Sequence, residues 1–222
     1  MNWEFNSSNT FCISLPSRWK KMLSKFVSLQ MSVSKWNAST PETLTDNFTN
    51  NLNEKQKACA QSHVNIYKHM IEHNLPYAMI LEDDVCFDKQ WLSKLTELKF
   101  LDDDDAWDLI LLNASEPIHP AFTWLKVTEQ YLTGGYIISL KGAKNILEMF
   151  HNNYCSSDWM TSRLQLNNHS YSYFPWLIIQ EGEYSIIQDK VPIEDRAKVI
   201  SCLKEINYSI EINYSIEKNY IL

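Results

Sequence analysis

A chain of 222 residues with 45% hydrophobic and 21% charged content holds enough apolar material for one sizeable α/β core. Its net charge of −7 and pI near 5.4 argue against the basic face of a general nucleic-acid binder. Only four glycines occur, and neither a GxGxxG nor a P-loop pattern is present, so dinucleotide-binding and P-loop folds lose their usual support.

Phe11-Cys12-Ile13-Ser14-Leu15 reads as a first buried strand, ended by Pro16 and Ser17, and Arg18-Trp19-Lys20-Lys21-Met22 opens a helix. Residues 30–52 are polar and weakly patterned, with a short strand expected at Met31-Ser32-Val33. Asn53 stands where a helix N-cap belongs, and Glu54 complements the dipole of a helix running to about Glu72, stopped by Asn74 and Pro76. Tyr77–Leu81 is an apolar run of strand length, followed at once by Glu82-Asp83-Asp84. A helix is expected over Trp91–Leu98 and a strand over Trp107–Leu112, with Asn113 at its carboxyl end. Asp102–Asp105, at the entry of that strand, reads as a solvated linker, because open α/β sheets bind ligands at the carboxyl ends of strands. Gly134-Gly135 turns into a strand ending at Ser139, a helix spans about Lys141–Phe150, and a shorter one spans Asp158–Leu166. Phe174–Gln180 reads as a late strand or extended segment. Residues 1–200 are expected to form one domain; residues 201–222 form a tail containing the direct repeat Ile206–Glu211 and Ile212–Glu217.

The five cysteines, at 12, 59, 86, 155 and 202, are odd in number and form no CxxC pair, so buried reduced thiols are expected rather than zinc ribbons. No apolar run approaches membrane-spanning length, and Met1–Phe5 shows no signal-peptide pattern, so a cytoplasmic location is the expectation.

The carboxylates at 82–84 carry the most information. Adjacent acids at the edge of a core must keep water or find a cation. Hard oxygen ligands suit magnesium or manganese, which also bind nucleotide phosphates. The plainer reading is a solvated acidic turn.

Four segments then line up with one pattern: Phe11–Arg18; Cys59-Ala60-Gln61-Ser62-His63; Ile80-Leu81-Glu82-Asp83-Asp84-Val85; and Thr133–Ala143, followed by Asp158 and Phe174–Gln180. Together they resemble glycosyltransferase family 25, which includes lipopolysaccharide-modifying sugar transferases and collagen hydroxylysine galactosyltransferases. The resemblance covers roughly residues 10–190. It implies a GT-A-type nucleotide-binding α/β sandwich with a mostly parallel central sheet. It also implies a UDP-sugar donor (UDP-galactose or UDP-glucose), Mn2+ at a DxD-like motif, and inverting transfer to a hydroxyl acceptor such as a glycan, a lipid-linked sugar or hydroxylysine. The chain departs from the pattern at Lys55 and Ala58, where the family usually has glycines. It departs again at Ser185-Ile186, where a Ser-Asp pair is usual and Glu181 and Glu183 are the nearby carboxylates.

On this reading Asp84 contacts the metal, with Glu82 as metal-water or ribose partner. Asp83 belongs to the same donor loop but points to the other side if the segment stays extended. Arg18 is a candidate nucleotide contact or an ordinary surface arginine. Ser62 and His63 line the donor pocket, brace the acidic loop, or belong to the helix core. Gly134 and Gly135 let backbone approach the donor sugar, or simply form a strand-entry turn. Asp158, beside Trp159, is the candidate base or acceptor-positioning carboxylate, or else a helix N-cap. A non-catalytic nucleotide-sugar or glycan-binding module that keeps the fold is the alternative function. A sugar nucleotidyltransferase would need a glycine-rich basic loop near the N-terminus that is absent.

Overall fold

The computed structural model describes residues 3–98, 107–115, 123–151, 153–174, 176–180 and 220–221. In chain order the elements are β1 (Thr10–Ser14), α1 (Pro16–Ser28), β2 (Ser34–Asn37), α2 (Glu54–Glu72), β3 (Tyr77–Glu82), β4 (Val85–Asp88), α3 (Trp91–Leu95), β5 (Leu109–Leu111), β6 (Thr123–Lys126), β7 (Gly135–Ser139), α4 (Leu140–Phe150), α5 (Ser157–Leu164), β8 (Ser170–Phe174), β9 (Ile178–Gln180) and β10 (Tyr220–Ile221). A seven-stranded sheet has the order β2-β1-β3-β7-β5-β8-β6, and a three-stranded sheet has the order β10-β4-β9. β1 pairs in parallel with β2 and β3, and β5 with β8, while β7 and β6 run against their neighbours. The result is a mixed α/β architecture with a mostly parallel central sheet, as expected, and it is consistent with a GT-A-type sandwich.

The central strands β3, β5 and β7 are apolar on both faces because both faces are covered. In β3, Tyr77, Met79 and Leu81 enter one buried cluster with Met22 and Phe26 of α1. Ala78 and Ile80 enter the other, with Val64, Tyr67 and Met70 of α2 and Ala143 and Ile146 of α4. The period of two is therefore present but masked in the sequence, since both registers are hydrophobic.

Helix α2 is bounded as its sequence predicts. Asn53 accepts from the Gln56 amide and the Gln56 side chain accepts from the Asn53 amide, both at 2.9 Å, a reciprocal capping box. At the other end Asn74 takes a φ of 49°, with Asn74 N–H bonded to Ile71 O and Leu75 N–H to Met70 O. This is a Schellman closure in which asparagine fills the left-handed position.

Three expectations need correction. The strand expected at Met31–Val33 lies instead at Ser34–Asn37, because Gln30, at φ 55°, and Met31, whose amide bonds Phe26 O, are used to close α1. Phe174–Gln180 is not one extended element: β8 ends at Phe174 in the large sheet and β9 begins at Ile178 in the small one. The helix at Trp91 stops at Leu95 rather than Leu98. Asp102–Asp105, Glu181, Glu183, Ser185, Cys202 and the 206–217 repeat lie outside the described residues.

Candidate functional site

Strand β3 reaches the carboxyl edge of the sheet at Glu82, paired with Ile13 of β1, and its amide donates to Gly134 O at 2.8 Å. The chain then turns through Asp83 and Asp84 into β4 rather than continuing extended, and Asp83 leaves the side shared by Glu82 and Asp84.

Asp83 faces α1. It accepts from the Leu15 amide at 3.1 Å and from Arg18 Nη1 at 2.7 Å. Leu15 is the N-cap of α1 and has no side-chain acceptor, so Asp83 supplies the anion that this helix end favours. Arg18 lies in the first turn of the helix, with 32% of its side chain exposed.

Glu82 and Asp84 are brought together by Gln180. Its amide nitrogen lies 3.3 Å from Glu82 Oε2 and 3.1 Å from Asp84 Oδ1. The Thr133 hydroxyl donates to Glu82 Oε1 at 3.0 Å, and it contacts the Ser157 hydroxyl at 3.0 Å. Burial works to raise the Glu82 pKa, but the facing His63, the Thr133 hydroxyl and the charge of Arg18 outweigh it and leave the group below the ordinary range. Asp84 moves the other way: burial first, then the Glu82 charge, push it up to about 7 against the pull of Gln180. The two acids therefore have opposed tendencies, and 26% of the Glu82 side chain remains open to a ligand.

His63 lies beneath this pair with no exposure. Its Nδ1 is 2.7 Å from the Tyr136 hydroxyl, which is 2.6 Å from the Tyr67 hydroxyl. Burial pushes both phenols above their ordinary pKa, so both remain protonated. The imidazole and the two phenols thus form one continuous hydrogen-bonded row inside the core. The other ring nitrogen, Nε2, faces Glu82 Oε1 at 3.6 Å. That gap is too long for a hydrogen bond, and Nε2 has no other partner among the described residues, so the attraction is electrostatic. Cys59, one turn earlier on α2, completes a group with His63 and Glu82 whose ligand atoms lie within 4.8 Å of one another.

Gly134 and Gly135 are explained by the protein's own packing. A Cβ at Gly134 would lie 2.8 Å from Gln180 Cδ and 2.9 Å from Asn113 Nδ2, and one at Gly135 would collide with the Ile178 side chain. Their missing side chains let β9 close onto the site. Asn113 accepts from Gly135 N–H at 3.2 Å, and its buried Nδ2 has no partner among the described residues.

Ser62 stands apart. It is buried, donates to Ala58 O and accepts from the Ser39 amide at 2.8 Å, anchoring the loop before α2. Asp158 is in the first turn of α5, whose N-cap is Ser156, so the capping alternative in its strict form does not apply. It accepts from Trp159 N–H at 2.9 Å, and its neighbour Ser157 ties this turn to Thr133 and so to Glu82. Trp159 is 46% exposed, with Tyr131 at 5.8 Å and the Arg163 guanidinium 5.4 Å from its ring, a solvent-facing aromatic surface beside the acid.

Sequence reasoning gave no role to Gln180, Thr133, Tyr136 or Cys59. All four lie in the segments that carry the resemblance, but an amide, a hydroxyl or a thiol shows no function until the fold sets it against a carboxylate.

The donor set at the open end consists of the carboxylate oxygens of Glu82, the last residue of β3, and of Asp84, in the turn after it, which fits a hard divalent cation. The buried end, with thiol and imidazole, suits softer ions.

A family profile described as Glycosyltransferase family 25 (LPS biosynthesis protein) matches residues 9–161. Among individual proteins, the chain is 24% identical over 234 residues to a "Glycosyltransferase 25 family member" of Aedes aegypti, covering 84% of this chain and 38% of that protein. It is 37% identical over 111 residues to "Procollagen galactosyltransferase 1-B" of Xenopus laevis, covering 43% and 17%. It is 32% identical over 114 residues to "Lacto-N-neotetraose biosynthesis glycosyltransferase LgtE" of Neisseria meningitidis serogroup B, covering 45% and 40%. The chain thus spans less than half the length of each of these relatives. No helix among the described residues is long and apolar enough to cross a membrane.

Proposed function

The chain belongs to glycosyltransferase family 25, and we propose that it transfers a hexose from a UDP-sugar to a hydroxyl acceptor, with inversion and with Mn2+ held by Asp84 and Glu82. The observation that carries this reading is the joining of Glu82 and Asp84 by one Gln180 amide at the carboxyl edge of β3. When bound, the ion supplies positive charge where negative charge grows on the departing diphosphate.

The protein's own groups supply the rest. Thr133, Gln180 and His63 hold Glu82 in one orientation, so little reorganisation accompanies donor binding. Arg18, fixed by Asp83, adds a cation at the nucleotide end. Asn113 offers a buried amide N–H to the donor beside Gly134. Asp158 takes the proton from the acceptor hydroxyl, and Trp159 with Tyr131 presents a face on which a sugar ring can stack.

By their printed names two relatives serve different products, one a procollagen galactosyltransferase and the other a glycosyltransferase of lacto-N-neotetraose biosynthesis. The reading here is accordingly a class of acceptor, a hydroxyl on a sugar or a hydroxylated side chain. UDP release from UDP-galactose and UDP-glucose with Mn2+, with and without excess chelator, tests it. Turnover that survives chelation overturns the metal assignment. Calorimetry with UDP, GDP and CMP in Mn2+ should favour UDP by at least about tenfold, roughly 1.4 kcal/mol. UDP binding with no turnover against any hydroxyl acceptor would make the protein a binding module.

A further inference from the structure

The carboxyl-terminal end of α2 carries a second group of metal-ligand side chains, away from the acidic turn. His69, Glu72 and His73 place their ligand atoms within 4.8 Å of one another. Residues three and four apart share one helix face, which is why this spacing converges. The two imidazole centroids are 4.0 Å apart.

Both rings are held before any ligand arrives. His69 packs edge-on against Phe11, at 5.5 Å, and tilts against Trp36, at 5.3 Å. His73 Nδ1 lies 3.0 Å from the His69 carbonyl. A carbonyl only accepts, so Nδ1 carries the hydrogen and Nε2 is left with its lone pair, the orientation device common to metal-bound histidines. The Schellman closure fixes the backbone that carries His73. Beside the two rings runs an open groove of about 410 Å³, also lined by Ser7, Ser34 and Lys35. Glu72 and His73 are exposed, so an ion can reach them from solvent.

We propose that His69, Glu72 and His73 form a binding site for a single borderline transition-metal ion, Zn2+ foremost, separate from the hard-oxygen site at Glu82 and Asp84. Two imidazoles and a carboxylate suit Zn2+, Ni2+ or Cu2+ and disfavour Mn2+. Three protein ligands leave a coordination position open toward the groove. Six to ten residues of helix separate this group from His63, roughly 9–15 Å along the axis. The two centres are therefore independent and sort metals by ligand chemistry.

The test is titration of the untagged, full chain with ZnCl2 alone, without nucleotide, followed by calorimetry and by histidine side-chain NMR. One equivalent should bind at this group, and the imidazole signals that shift with it should be those lost in His69→Ala and His73→Ala. Each of these variants should weaken binding at least about tenfold, and Glu72→Gln should weaken it less. Cys59→Ser should leave it unchanged. Circular dichroism confirms that the variants fold, and their side chains lie outside the sealed core. Zinc affinity within twofold of the parent in the double variant His69→Ala/His73→Ala overturns the proposal, as do zinc-induced shifts confined to His63. Neither outcome depends on whether sugar transfer occurs.

Discussion

Helix α2 holds one histidine at its middle and a pair at its carboxyl end, and the surroundings give them opposite characters. His63 is sealed in the core, with Nδ1 on Tyr136 and Nε2 directed at Glu82. His69 and His73, two and three turns later, lie at the surface with a backbone carbonyl as the anchor of one ring. A sealed ring whose two nitrogens both face protein groups is a support. A surface ring with one nitrogen anchored and the other left with its lone pair is arranged to serve as a ligand. The residue type is the same, and burial together with the second partner decides the role.

The comparison breaks first at the acidic end. Asp84→Asn should abolish transfer, by about a thousandfold or more, and weaken UDP binding in Mn2+, while the circular dichroism spectrum stays that of the parent. Retained activity would remove Asp84 from the metal site. Next, Asp158→Asn should lower turnover by about a hundredfold with UDP affinity nearly unchanged. If the carboxylate serves only the first turn of α5, the loss of one charge there should instead cost at most about 1 kcal/mol of stability and leave kcat as it was.

The support role of His63 is sharpened by Tyr136→Phe. Removing that hydroxyl leaves Nδ1 and the Tyr67 hydroxyl without their shared partner, so unfolding free energy should fall by about 1–3 kcal/mol. The His63 tautomer, read from imidazole nitrogen shifts, should become mixed, and turnover should drop about tenfold. An unchanged tautomer would mean that the phenol does not set the proton. The smallest effect belongs to the helix itself. Asn53→Ala should lower stability by roughly 1 kcal/mol, measured by urea unfolding, and leave metal binding at both proposed sites intact.

Much of this was legible in advance, for identifiable reasons. The Asn53 cap, the Asn74 stop and the apolar run ending in Glu82-Asp83-Asp84 are local signals, and the chain obeys them. Strands β6 and β8 were not foreseen. In β8 the small polar residues Ser170 and Ser172 alternate with Tyr171 and Tyr173, and all four are buried between other elements, so hydropathy gives no strand signal. The site was legible in its acids and illegible in its brackets. Spacing placed Glu82 and Asp84, but the turn that sends Asp83 to Arg18 is a tertiary outcome. The role of the two glycines was also hidden, since what presses on them is Gln180 and Ile178, far along the chain.

That last contact bears on how the site comes into being. Gln180 lies 96 residues beyond Asp84 and beyond the 9–161 span that the family profile matches. A chain cut after residue 161 would keep Glu82, Asp83, Asp84, Arg18, His63, Asn113 and Asp158, yet lose the donor that, among the described residues, bridges Glu82 and Asp84. Such long-range pairing must meet its loop-closure cost before the contact rewards it. Assembly of the centre therefore waits on the docking of β9 through the gap left by Gly134 and Gly135. During synthesis the acids emerge well before the strand that brackets them.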